Sequence, residues 1–199
     1  MITLEHLIRA VAAGPFSGSS DYDLNPAFKA GLPERDLRPA SVLIPLIKRA
    51  DSWHVILTKR ASHLKHHGGQ VSFPGGKVEA GETGLIAALR EAEEEIGLPR
   101  TAVSMIGAID VHETVTNFAV TPFIGVVNEF EAVIDAGEVE EVFEVPLDFL
   151  MNAENMTVQG RNWYGHRRRY YTIPYGPYYI WGATARMIKV LADRVARCG

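Results

Sequence analysis

Residues 76–98 read GKVEAGETGLIAALREAEEEIGL. From Thr83 to Ile96 there is no proline, and Leu85, Leu89, Ala92 and Ile96 recur at three- and four-residue steps, the spacing of one apolar stripe on a helix. Gly97, with Pro99 close behind, supplies the stop. Glu91, Glu94 and Glu95 stand at i, i+3 and i+4 and share a face, expected to lie away from the stripe. Carboxylates at that spacing repel one another at neutral pH, a cost that a cation or an arginine relieves. Hard oxygen ligands on a rigid helix suit Mg²⁺ or Mn²⁺, which keep several waters and accept substrate phosphates. Most acidic helix faces are simply solvated. Here the glycine-dense stretch Phe73-Pro74-Gly75-Gly76 runs into the acidic segment and lets the backbone turn sharply towards a ligand, which favours a site. Arg90 is expected to act as an internal partner that holds one of these glutamates or the loop.

The fixed residues are Gly76, Glu82, Arg90-Glu91, Glu94-Glu95 and Gly97, with Ala92 and Leu98 in two apolar slots. This pattern resembles the Nudix box of hydrolases that cut nucleoside diphosphates linked to another group. The resemblance implies an α/β/α sandwich with a mixed sheet, running from about residue 40 onward, and a catalytic set of Arg90, Glu91, Glu94 and Glu95. It also implies hydrolysis by an attacking water whose proton a carboxylate accepts. In Nudix enzymes that base lies on the box helix or on a later loop. The candidates are Glu94 or Glu95, and Glu138 or Glu141 in the acidic stretch 137–141.

Just before the box stands ILTKRASHLKHHGGQVSFPGG, residues 56–76. It is similar to the signature of the coenzyme A pyrophosphatase branch, matching at Leu57, Thr58, Arg60, Ala61, Gly69, Val71, Phe73, Pro74, Gly75 and Gly76. Lys65 departs from it: the signature has arginine there, so the charge is kept and a bidentate fork is lost. Residues 180–186, IWGATAR, also look like the closing segment of that branch. The resemblance implies coenzyme A or a derivative as substrate, with 3′,5′-ADP and 4′-phosphopantetheine as products. On it, Arg60, Lys65, Gln70, Phe73, Gly75 and Gly76 are expected to contact substrate. His63, His66 and His67 read individually as solvated loop residues. A second basic run, His166-Arg167-Arg168-Arg169-Tyr170-Tyr171, could supply a 3′-phosphate site or a stacking surface, with Arg168 on one strand face and Arg167 and Arg169 on the other. A basic sheet edge that deters aggregation fits that run equally well.

The 199 residues are 47% hydrophobic, enough for one substantial core. A net charge of −4 offers no global attraction to nucleic acid or anionic membrane, so phosphate must be met by local positive charge or a metal. The single cysteine, Cys198, excludes an internal disulfide and suits a reducing cytoplasm. No apolar run approaches the roughly 18 residues of a membrane span. Ala10 to Ala13 look like a small-residue cleavage region, but Glu5, His6 and Arg9 break the preceding apolar segment, and Leu4, Leu7, Ile8 and Val11 mark a short amphipathic helix instead.

Residues 14–39, rich in Gly, Ser, Pro and Asp, read as an extended arm, giving an N-terminal helix and arm at 1–39 and, on the resemblance, a Nudix hydrolase domain at 40–199. A homodimer in which the arm packs on the partner subunit is kept open. Strands are expected at 41–48, 53–60, 103–112, 118–127 and 139–145, a helical turn at 146–151, one or two strands over 157–173 and a closing helix at 182–197. Pro45 suggests an edge or a bulge for the first strand.

Overall fold

The computed structural model describes residues 1–14, 18–163 and 166–198. In chain order the elements are α1 (Leu4–Ala12), β1 (Ser19–Ser20), α2 (Pro26–Ala30), β2 (Arg38–Arg49), β3 (Ser52–Arg60), β4 (Val71–Ser72), β5 (Gly75–Lys77) and α3 (Gly84–Ile96). They continue with β6 (Val103–Ala108), β7 (His112–Glu113), β8 (Phe118–Val127), β9 (Val139–Pro146), α4 (Leu147–Met151), β10 (Thr157–Trp163), β11 (His166–Tyr175), β12 (Tyr178–Trp181) and α5 (Gly182–Cys198).

The main sheet is mixed. β2 runs parallel to β8 and antiparallel to β3, while β6 and β9 extend it antiparallel on either side. Its central strands are apolar on both faces because helices cover both faces. In β2, Leu43 and Ile47 pack with Ala88, Ala92 and Ile96 of α3, while Ile44 and Leu46 pack with Leu147 and Leu150 of α4 and Leu191 of α5. This is the expected α/β/α arrangement.

Pro45 sits in a central strand, not at an edge. It is paired with Gly125 of β8, and on its other side it falls between the ladder to β5, which ends at Val42, and the ladder to β3, which starts at Leu46. Its missing N–H therefore meets a gap where the two neighbours diverge.

The arm is folded rather than extended. β1 pairs with β7, Tyr22 is buried and stacks on Phe28 of α2, and Asp23 is ion-paired to Arg186 of α5 at 2.6 Å. Asn25 is bound to the backbone of Arg169 in β11 through two hydrogen bonds of 2.8 Å. Polar side chains, not an apolar stripe, tie the arm down, so a hydrophobicity pattern does not reveal it. β10, β11 and β12 form a second, antiparallel three-stranded sheet; residues 164 and 165 lie outside the described residues.

Candidate active site

Thr83 caps α3 through a hydrogen bond from the Ile86 N–H at 3.3 Å, and Gly97 ends it in the left-handed region at φ 69°. The helix is as expected; the direction of its acidic face is not. Ala88, Ala92 and Ile96 are the fully buried stripe, Leu85 and Leu89 are half-buried, and Glu95 is only 3% exposed. The acidic face turns inward because β5 lies over it. Gly75 adopts φ 154° and donates its N–H to Glu95 Oε2 at 3.3 Å. A Cβ at Gly76 would overlap the Glu91 carboxylate. Gly76 thus leaves the space that the Glu91 carboxylate occupies, while a Cβ at Gly75 would instead run into β2 at Ser41 and Val42.

Arg90 is the internal brace. It bonds Glu82 at 2.8 and 3.2 Å, Glu91 and Glu94 at 3.0 Å each, and the Lys77 carbonyl at 3.2 Å. It therefore joins the first glutamate of the motif, the helix and the loop, and the ring of carboxylates holds its proton all the more firmly. Glu94 is largely exposed and, among the described residues, is held by Arg90, so Glu91, Glu94 and Glu95 do not converge on one point. Among the described residues no group of three His, Cys, Asp or Glu side chains forms a ready ligand shell.

Electrostatics nonetheless mark a place for a cation. Burial pushes the Glu95 carboxyl up to about 8; Arg60, 3.6 Å away, and the Gly75 N–H oppose the shift, while the charges of Glu91 and Glu138 add to it. Burial also raises Glu91, against the pull of Arg90, and Glu94 and Glu138 again contribute. Two desolvated carboxylates beside a third, all oxygen donors, are a donor set that a hard divalent ion fits. Glu91 and Glu95, with Glu138 or a reoriented Glu94, could hold one.

The acidic stretch 137–141 resolves by direction. The loop before it is strapped to the last turn of α3, Val133 N–H to Ile96 O at 3.1 Å and Asp135 N–H to Glu95 O at 3.0 Å, and this brings Glu138 beside the site. Glu140 is turned to Lys59, at 2.7 Å. Glu141 accepts a hydrogen bond from Tyr178 Oη at 2.5 Å and faces the second sheet. A register shift at Lys59/Arg60 in the β3–β9 ladder separates these directions.

A cleft runs from Gly75 and Gly76 across the end of the main sheet. Its first stretch, about 690 Å³, is lined by Arg60, His66, His67 and Phe73, and it merges through Arg60, His67 and Thr116 into a second of about 250 Å³. A third, about 290 Å³, shares His67 and Gln70 and ends on Arg161, Arg168, Tyr170 and Trp181. Lys65 is exposed and absent from this lining, so the motif's basic position points elsewhere. His66 and His67, read above as solvated, line the cleft; His67, at φ 59°, bonds Gln70 at 3.0 Å. Arg168 is half-buried and Arg167 and Arg169 are exposed, as strand alternation requires; the His166 side chain lies outside the described residues.

Two contributors escaped the sequence reading, while Trp181 fell within the IWGATAR stretch without a role of its own. Arg161, in a stretch expected only as one or two strands, is the first. The pair Asp21–His112 is the second: His112 is fully buried, with Nε2 3.1 Å from Asp21 and Nδ1 2.8 Å from Ser19 Oγ. Asp21 also accepts the Val115 N–H at 3.0 Å, which fixes the 114–116 segment of the cleft wall. Ser19, His112 and Asp21 have the composition of a nucleophilic triad, but Ser19 is buried, so they act as a staple.

Residues 37–166 match the model of the NUDIX domain family. The chain belongs to the Nudix family. It is accordingly a hydrolase acting on phosphoric anhydrides, in a family that generally uses divalent metal ions and nucleotide-type small molecules. The "Uncharacterized Nudix hydrolase NudL" of Enterobacter sp. (strain 638) is similar at 41% identity over 163 residues, covering 79% of this chain and 83% of that protein. The protein of the same name from Escherichia coli O7:K1 is 39% identical over 160 residues with the same coverage. The crystal structure of the MutT protein from Methanosarcina mazei Go1 shares the Nudix fold, with a TM-score of 0.53 at 16% identity over 83% of this chain and 97% of that one. No helix among the described residues of this Nudix protein is long and apolar enough to cross a membrane.

Proposed function

We propose that this Nudix enzyme hydrolyses the pyrophosphate bond of coenzyme A or its derivatives, with Mg²⁺ or Mn²⁺, giving 3′,5′-ADP and 4′-phosphopantetheine or its acyl form. The observation that carries it is the joining of two motifs in one cleft. The Leu57–Gly76 signature resembles that of coenzyme A pyrophosphatases, and its Arg60, Gln70, Phe73, Gly75 and Gly76 line a continuous path from the paired carboxylates to a basic, aromatic end.

A divalent ion held by Glu91 and Glu95, completed by Glu94 or Glu138, would supply neutralisation of diphosphate charge and activation of water. The chain's own residues do the rest. Arg90 keeps Glu91 and the Lys77 carbonyl in place. Gly75 and Gly76 hold β5 close over the helix, Gly76 by leaving room for the Glu91 carboxylate and Gly75 by packing against β2. Arg60 now neutralises Glu95 across 3.6 Å, and once a cation does so its guanidinium is free to meet a phosphate oxygen. Glu138, whose charge acts on both Glu91 and Glu95, is taken as the acceptor of the attacking water's proton, because Glu141 is engaged by Tyr178.

A substrate panel tests this. Coenzyme A, acyl-coenzyme A, dephospho-coenzyme A, ADP-ribose, diadenosine polyphosphates and oxidised nucleotides are compared by kcat/KM at fixed Mg²⁺. Coenzyme A or an acyl form should lead. Faster cleavage of ADP-ribose, a dinucleotide or an oxidised nucleotide would replace this specificity with that one. Absence of turnover on every compound would instead mark a ligand-binding Nudix domain.

A further inference from the structure

At the far end of the cleft, Arg161 of β10 and Arg168 of β11 are direct register partners, so their side chains leave the same face of the small sheet, and both line the same 290 Å³ cavity. Like charges placed opposite one another across an antiparallel pair are destabilising. Among the described residues neither is answered by a carboxylate in the manner of Arg90. Arg168 instead lies over the Phe28 and Tyr22 rings, at 5.6 and 5.8 Å, and its Nε is buried without a hydrogen-bond partner. A buried, unpaired guanidinium N–H is costly unless something brings an acceptor. The same face carries Tyr170 and Trp181, whose rings meet edge-on at 5.3 Å, as the next wall of the cavity. Asp21, the carboxylate on this lining, is already engaged by His112 and the Val115 N–H.

We propose that Arg161 and Arg168 clamp a phosphate monoester on the nucleoside arm of the substrate, with the base against Tyr170 and Trp181. The clamp rests on the coenzyme A reading for its natural ligand and extends it by a residue pair and a position. An anion between the two arginines removes their repulsion, and a fork from Arg168 satisfies its orphan donor. The arm is part of this subsite, since Phe28 and Tyr22 fix where Arg168 points. The aromatic wall supplies stacking, which any purine satisfies, so the phosphate carries the selectivity.

The test is metal-free calorimetry with adenosine 3′,5′-bisphosphate and 5′-AMP, on the wild type, Arg161→Ala, Arg161→Lys and Arg168→Gln. One charge-assisted contact corresponds to about ten-fold in affinity or more. The wild type should bind the bisphosphate at least about ten-fold more tightly than 5′-AMP. Arg161→Ala and Arg168→Gln should shrink that ratio to about two-fold while 5′-AMP affinity holds, and Arg161→Lys should recover part of it. Arg161 is exposed, so its variant folds and decides the matter alone if Arg168→Gln does not. Equal binding of both nucleotides by the wild type, or an undiminished preference in Arg161→Ala, overturns the clamp even where coenzyme A is cleaved. A preserved preference in an enzyme that does not cleave coenzyme A supports the clamp and removes the coenzyme A reading.

Discussion

At the Gly75–Gly76 end of the cleft, charge is buried and cross-braced: Arg90 engages three glutamates and a loop carbonyl, and Arg60 faces Glu95. At the Trp181 end two arginines stand opposite each other, one of them resting on aromatic rings with an unpaired nitrogen. The first end is complete within itself and excess negative charge is its one defect. The second end is incomplete and its defect is excess positive charge. A diphosphate with a cation corrects the first defect and a further phosphate the second, so one ligand can relieve both. The two ends also differ in how they are encoded. The first is almost one contiguous segment, 60–98, joined by the loop that brings Glu138. The second needs Arg161, Arg168 and Trp181, with Asn25 fixing the strand beside Arg168, gathered by tertiary contacts such as the Asn25–Arg169 bonds across 144 positions.

The sharpest way to break this comparison is Glu95→Gln. If the acidic end works through a cation, the variant should lose turnover on the order of 10³-fold. Its fold should remain, and the metal-free variant should be the more stable protein near pH 8, because an uncharged amide replaces a desolvated carboxylate. Wild-type activity at saturating Mg²⁺ would remove the helix from the chemistry.

Glu138→Gln comes next. A proton acceptor contributes about 10²–10⁴-fold, so kcat should fall by about 100-fold or more. Glu141→Gln should change kcat by no more than about three-fold, since removing its bond with Tyr178 touches the seam between β9 and β12 rather than the cleft. The reverse ranking in steady-state assays would exchange the two assignments.

A smaller effect is readable without substrate. Glu95 titrates at about 8 in the folded protein against an ordinary value of 4.5, so the native state holds a proton that the unfolded chain gives up earlier. Metal-free stability should then fall as pH rises from about 4.5 to about 8 and level off above that, with Glu91 adding to the slope in the same direction. The expected drop in melting temperature is roughly 5–10 °C. Saturating Mg²⁺ should cancel it, because the ion favours the ionised carboxylates, and Glu95→Gln should remove most of it. A flat profile for the metal-free wild type would show that the carboxylate is hydrated.

The same contrast explains what the sequence made legible. The long strands and the two long helices were found within a residue or two at most boundaries, because each carries its own apolar period and its own cap or stop, as with Thr83 and Gly97 in α3. β1, β4, β5 and β12 were not, because two- to four-residue ladders exist only where another segment meets them. The acidic triad was legible in position but not in direction. Glu91 and Glu95 turn inward under β5, where Gly76 leaves room for one carboxylate and the Gly75 N–H meets the other, and a helical period registers neither. Lys65 is exposed and off the cleft linings for a complementary reason: a motif position predicts charge, whereas the path of a turn with His67 at positive φ decides where that charge goes.

The mildest prediction sharpens the basic end. At Arg169 the ladder from β12 has not yet begun, since its register starts at Thr172. The Arg169 N–H and carbonyl therefore face away from β10 with no strand to receive them, and the Asn25 amide supplies one acceptor and one donor at 2.8 Å each. Asn25 does there what a strand would do. Asn25→Ala should cost about 1–3 kcal/mol of stability by leaving both backbone groups to water or to nothing. The neighbouring Arg168 would lose its fixed direction, so KM for coenzyme A should rise a few-fold, while kcat, which is set at the other end of the cleft, should hold. Asn25→Asp keeps the acceptor and loses the donor, and should fall between. A kcat loss matching the KM change would mean that the arm supports the acidic end too, and that the two ends are one mechanical unit.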